Sequence, residues 1–121
     1  MSAQTKIQAR ARRKRRIRKK LHGTAERPRM TVFKSNKHIY VQVIDDDRGA
    51  TLASASTLIE GVRGTIKELN KKDAATKVGE AAAEACKAAK VNQVIFDRNG
   101  YPYTGRVAAV ADGVRSGGIE L

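Results

Sequence analysis

Tryptophan is absent from this chain of 121 residues, cysteine occurs once and proline twice. The lone thiol, Cys86, excludes an intrachain disulfide and a thiolate metal cluster, and reads as a small buried hydrophobe. No apolar run approaches the ~18 residues of a membrane span. No apolar stretch follows the N-terminal charges either, so a secretory signal is not expected. Large core formers are scarce, because 18 of the apolar residues are Ala and only 25 are Val, Ile, Leu or Phe. One small domain with a thin core is the expectation.

Acid is almost missing from the first 29 residues, where Glu26 alone faces 12 Lys and Arg. This segment therefore carries +11 of the formal +13, and residues 30–121 carry +2 (13 basic against 11 acidic). Its densest part holds Arg10, Arg12, Arg13, Lys14, Arg15, Arg16, Arg18, Lys19 and Lys20, followed by Arg27 and Arg29. Like charges this close repel and bury little, so the arm is expected to be disordered alone and ordered against a polyanion. A near-neutral body behind a basic arm is the asymmetry of a nucleic-acid binder, with each cation able to meet a phosphate. The arm shares an Arg-rich, acid-poor composition with mitochondrial transit peptides. It has almost no Ser, however, and runs straight into strand-patterned sequence, so a soluble cytosolic protein is expected.

The division is a basic extension over 1–29 and a compact α/β domain over 30–121. Pro28 biases Arg27 towards extended backbone. Met30–Lys34 reads as a strand, Ser35-Asn36-Lys37 as a turn with Asn36 suited to a positive φ, and His38–Ile44 as a second strand. In that strand Ile39, Val41 and Val43 share one face while Tyr40, Gln42 and Ile44 share the other. Asp45–Gly49 has turn composition and Thr51–Thr57 is a third strand. Leu58–Lys72 is ambiguous, with a short helix possible at Thr65–Leu69. Asp73 reads as an N-cap for a helix whose stripe is Ala75, Val78, Ala82, Ala85 and Ala89. Val91–Asp97 is a fourth strand, placed parallel to strand three or another neighbour. A last helix through Val107, Val110, Ala111 and Val114 ends at Gly117-Gly118. The fold class is mixed α/β, a β-β-β-α-β-α sandwich on a mixed sheet.

Three constellations can carry recognition. The arm is the first. The second is the loop Asp97–Gly105, where Tyr101 and Tyr103 flank Pro102 between Arg98 and Arg106; rings between cations suit unpaired bases, although either Tyr can equally plug the core. The third is the hairpin of Ser35, Asn36, Lys37, His38 and Tyr40 beside Lys34, which composition alone leaves as an ordinary polar turn. Asp45, Asp46 and Asp47 are adjacent and so cannot all converge on a metal from a strand; Asp97 and Asp112 are the only plausible additions to a nuclease-like cluster. His22 and His38 lack ligand spacing. No metal, cofactor or small-molecule substrate is expected, and no membrane partner. A metal-dependent nuclease and a DNA-compacting protein are the competing classes.

Gly23–Phe33, His38–Asp46, Ala55-Ser56-Thr57 and above all Asp97-Arg98-Asn99-Gly100-Tyr101-Pro102-Tyr103-Thr104-Gly105-Arg106-Val107 resemble the bacterial-type large-subunit ribosomal protein L-eighteen family. The resemblance runs from the arm to the last helix, leaving out the stretch around Gly61 and Gly64. It implies a non-enzymatic structural constituent of the large ribosomal subunit. Such a protein binds 5S rRNA, touches 23S rRNA and neighbouring proteins of the 5S particle, and helps seat that particle in the central protuberance. The family's basic N-terminal extension maps onto Arg10–Arg29. The implied location is the cytoplasmic ribosome, or an organellar one if the chain is organelle-encoded.

Overall fold

The computed structural model describes residues 3–58 and 70–121, with side chains from Thr5 onward. The ambiguous stretch, including the possible helix at Thr65–Leu69, falls largely outside the described residues. Within them the order is α1 (Ala3–Arg18), β1 (Arg29–Lys34), β2 (Ile39–Asp45), β3 (Ala50–Ser56), α2 (Lys71–Ala88), β4 (Ile95–Asp97) and α3 (Gly105–Ser116).

Period-two alternation makes the sheet. Met30 and Val32 of β1 and Ile39, Val41 and Val43 of β2 are buried, and the antiparallel register sets Met30 opposite Val43 and Val32 opposite Val41. One face is thereby apolar throughout, while Thr31, Phe33, Tyr40, Gln42 and Ile44 point the other way. Asp45 closes the β2–β3 turn, its Oδ1 accepting from the backbone N–H of Asp47 and Arg48 at 3.0 and 3.4 Å. The spatial order is β3-β2-β1-β4, with β4 parallel to β1. The mixed α/β class is therefore as expected, and the parallel neighbour of the fourth strand is the first.

That fourth strand is shorter than the apolar run predicts. Its ladder begins where the backbone N–H of Ile95 donates to the carbonyl of Pro28 at 2.9 Å. Pro28 has no N–H to return, so pairing cannot extend upstream. Val91 and Val94 are buried without belonging to the strand.

Two helices cover the apolar face. The first, α2, is capped by Asn70 rather than Asp73: the Asn70 carboxamide oxygen accepts from the Asp73 N–H at 2.8 Å, which puts Asp73 inside the first turn. An acid there still favours the helix dipole. Of the expected stripe, Ala75, Val78 and Ala82 are fully buried, Ala85 is partly so, and Ala89 lies exposed beyond the helix end. Cys86 is buried among them. The second helix, α3, supplies Val107, Val110 and Val114 to the same core. The helices meet at Gly79 and Gly113, where a Cβ on Gly79 would overlap the Val110 carbonyl oxygen and one on Gly113 that of Thr76.

The arm is helical over Ala3–Arg18 and lies on the other face of the sheet. Two causes offset the charge repulsion. The segment has no Gly or Pro and is rich in Ala, Arg, Lys and Gln, all good helix formers, with Arg15, Arg16 and Arg18 in the last turn where the dipole favours cations. The body also supplies acceptors to the cations that face it.

Candidate nucleic-acid interface

At 3.6 residues per turn, Arg10, Arg13, Lys14 and Arg18 fall on one side of α1, and Arg12, Arg15, Arg16 and Lys19 on the other. The structure uses these sides differently. Arg10 donates from Nη1 to the Tyr101 hydroxyl at 3.0 Å, and its guanidinium carbon lies 4.5 Å from the centre of that ring. Arg13 Nε donates to the Gly100 carbonyl at 3.0 Å. Arg18 Nε meets Asp97 Oδ2 at 3.0 Å and its Nη2 reaches Asn99 Oδ1 at 3.2 Å. Arg12, Arg15, Arg16, Lys19 and Lys20 are exposed, and no side-chain hydrogen bond or ion pair engages them within the described residues.

The loop 97–105 can receive α1 because Asn99 and Gly100 turn it tightly, with φ of 54° and 78°. The left-handed conformation expected at Asn36 is thus found at Asn99, ahead of a glycine, as two-residue turns of this hand require. A Cβ at Gly100 would stand 2.6 Å from the Arg10 carbonyl oxygen, so helix backbone rests directly on the turn.

Tyr101 is the point where all three constellations meet. Its hydroxyl lies 3.4 Å from both the N–H and the carbonyl oxygen of Lys34, which ties the loop to the hairpin, while Arg10 donates to the same oxygen. Arg106 Nη1 adds a bond to the Ser35 carbonyl at 2.9 Å, and Arg98 Nη1 closes the loop onto the Tyr101 carbonyl at 3.1 Å. Tyr101 is only 7% exposed and serves this junction. Tyr103 goes elsewhere: it is 44% exposed, edge-on to Phe96 at 5.9 Å, with Arg115 donating to its hydroxyl at 3.3 Å. Asn36 and Lys37 are exposed on the hairpin tip, and His38 Nδ1 sits 3.0 Å from the Thr57 hydroxyl.

Beneath α1 runs a chain of alternating charge. Asp97 has no exposed side-chain surface and is shared by Arg18 and by Arg29 Nη1 at 2.8 Å. Arg29 Nε and Nη2 also grip the two oxygens of Asp46 at 2.9 and 3.0 Å. Burial alone would raise the Asp97 carboxyl; the Asn99 N–H and the two guanidiniums outweigh it and hold the pKa below the ordinary value. Arg29 likewise pulls Asp46 down to about 2, helped by the Gly23 N–H. Arg29 therefore serves mainly inside this network, unlike exposed Arg27, whose Nε lies 3.5 Å from the Val94 carbonyl. Among the described residues no group of three or more His, Cys, Asp or Glu is placed to hold a metal. Asp46 and Asp97 are neutralised by arginines instead.

Several residues that shape this surface were not singled out by the sequence. Asn99 and Gly100 carry the helix seat, which is anchored by Asp97, a residue the sequence offered only as a carboxylate for a nuclease-like cluster. Phe33 stands 48% exposed with its ring centre 6.0 Å from that of Tyr40. Strand alternation alone gave a usable signal for Phe33, since it falls out of phase with buried Met30 and Val32.

The protein is thus a small mixed α/β body that seats a helix with one row of exposed cations turned outward. The family model described as Ribosomal L18 of archaea, bacteria, mitoch. and chloroplast matches residues 4–121. The large ribosomal subunit protein uL18 of Myxococcus xanthus is 59% identical over 117 residues, covering 97% of this chain and 98% of that one. That of Sorangium cellulosum is 56% identical over 116 residues, 96% of this chain and 98% of the other. That of Herpetosiphon aurantiacus is 53% identical over 121 residues, all of both chains. The chain belongs to the uL18 family: it is a structural protein of the large ribosomal subunit and not an enzyme.

Proposed function

We propose that this protein binds 5S rRNA, touches 23S rRNA, and helps seat the 5S particle in the central protuberance among neighbouring large-subunit proteins. The observation that carries the reading is the two-sided α1. Its inner arginines are matched by Asp97, the Gly100 carbonyl and the Tyr101 hydroxyl, while Arg12, Arg15 and Arg16 stand exposed on the helix and Lys19 and Lys20 stand exposed just beyond its end. Charges held at a helical spacing need no ordering to meet a phosphate backbone, so the entropy cost of binding is lowered. Residues 1–29 act as the RNA-binding extension and 30–121 as the folding unit. Lys37, Arg98, Tyr103 and Arg106 extend the contact along the hairpin and loop. Relatives drawn from bacteria support a bacterial, cytoplasmic ribosome.

The test is 5S rRNA binding across a salt series with the full chain and with Arg12, Arg15, Arg16 and Lys19 all changed to Gln. These substitutions leave the docking side of α1 intact. The slope of log affinity against log salt should flatten by about 3, at roughly 0.7–0.9 per lost phosphate contact. An unchanged slope would refute the assignment of the outer face. Equal affinity of the unaltered chain for an unrelated structured RNA of the same length would refute the 5S reading.

A further inference from the structure

The face of the sheet opposite α2 and α3 is only partly covered among the described residues. There α1 lies over the loop and the end of β4 and touches β1 through Arg18, whose Nη2 is 3.5 Å from the Thr31 hydroxyl. Next to it opens a groove of about 640 Å³, floored by Phe33, Tyr40 and Gln42 and walled by Lys14 and Arg18. That volume lies in the ~300–1,000 Å³ range of small-ligand clefts.

Phe33 and Tyr40 sit directly opposite each other in the β1–β2 register, with rings tilted by 42°. Such a pair stabilises a sheet by itself. Two further facts ask for more. Half of Phe33 is left open to water, in a chain with only five aromatic residues. The adjoining cation, Lys14, has no ion pair among the described residues; its pKa is lowered by burial and by its neighbours Arg18 and Arg10. An open ring pair beside an uncompensated cation complements a ligand with one flat apolar part and one anionic part. A nucleotide has that composition, and an apolar peptide or a duplex groove does not.

We propose that this groove receives a single unpaired nucleotide of the bound RNA, its base on the Phe33–Tyr40 rings and its phosphate against Lys14. The proposal rests on the RNA-binding reading above and adds a second mode to it. The outer face of α1 reads backbone charge; the groove takes one base out of the stack. Gln42, between the rings and Ile44 on β2, offers both donor and acceptor to the base edge.

Because the chain has no Trp, Phe33→Trp places one emitting ring at the site. In the full chain, a short single-stranded RNA and 5S rRNA should each quench that emission, and inorganic polyphosphate should not. Phe33→Leu and Tyr40→Leu should each weaken 5S binding about tenfold, the usual cost of one lost base stack, with the salt slope unchanged. Melting curves of these variants check that the fold is kept, and Phe33→Tyr should restore affinity. Binding of 5S rRNA with no quenching, or equal quenching by polyphosphate, would overturn the nucleotide site and leave the 5S reading standing. Quenching by single-stranded RNA in a protein that ignores 5S rRNA would do the reverse. Leu variants with normal RNA affinity that fail only in subunit assembly would show that the rings meet a protein, and would likewise overturn it.

Discussion

Changing Asp97 to Asn removes one negative charge from the chain of ion pairs while keeping the shape of the side chain. The carboxylate is fully enclosed and is shared by Arg18 at 3.0 Å and Arg29 at 2.8 Å. An amide there turns at best one oxygen to these two donors and the Asn99 N–H. Losing one member of a buried ion pair costs about 3–5 kcal/mol. The low end applies, because Arg29 keeps both Asp46 oxygens and the Arg18 side chain is already 34% exposed and can turn to water. A loss of about 3 kcal/mol should lower Tm by roughly 10 °C for a domain of this size. The effect should also be local: α1 keeps only the Arg10 and Arg13 anchors and the weaker Arg18 bonds. Trypsin should then cut within the arm much faster in Asp97→Asn than in the parent, well below the melting transition. A thermal melt followed by circular dichroism, with tryptic digestion at 20–25 °C, reads both. A Tm within 2 °C of the parent and an arm cut at the parental rate would refute the anchoring role of Asp97.

Gly79→Ala should destabilise the protein by about 1–3 kcal/mol or more in a urea melt, because α2 and α3 must separate to admit the methyl group. A neutral result would mean the crossing is looser than described. Acid should weaken the fold through Asp46 in particular. Its folded pKa of about 2 lies below the unfolded value, so its contribution is present above about pH 4 and is lost as pH falls towards 2. The loss is about 2 kcal/mol, with Asp97 adding in the same direction, and Asp46→Asn should show a visibly shallower decline between pH 5 and 2.5. Cys86, whose thiol pKa is raised by burial, should resist a thiol reagent in native buffer and react fully in denaturant. Fast labelling of the native chain would contradict the packing of α2 on the sheet.

The elements that were legible in the sequence are those whose residues answer to a period. β1 and β2 alternate strictly, so their core faces could be read directly, and the Ala stripe of α2 declared both a helix and a close approach. What the stripe could not show was the partner: Gly79 meets Gly113, 34 positions away, and only the tertiary arrangement brings two missing side chains together. The helix of the arm was hidden for the same reason. Charge density is a local property and predicts repulsion, whereas the acceptors that relieve it, Asp97, Gly100 and Tyr101, lie 79 to 91 positions downstream. The Asp97–Val107 segment stood out in the sequence, but its composition left each tyrosine equally suited to a base or to the core. Tyr101 is enclosed instead, joining arm, hairpin and loop, and only Tyr103 remains outside.

The three anchors of α1 have a geometric consequence apart from their strength. Arg10, Arg13 and Arg18 engage fixed acceptors, so together they set the rotational phase of the helix about its own axis. Deleting one residue between Arg13 and Arg18 would leave composition and net charge nearly untouched. It would nonetheless turn everything on one side of the deletion by about 100° relative to the other. Either Arg18 would miss Asp97, or Arg15, Arg16 and Lys19 would no longer line up with Arg12. In this arm the spacing between cations carries the information, and their number alone does not.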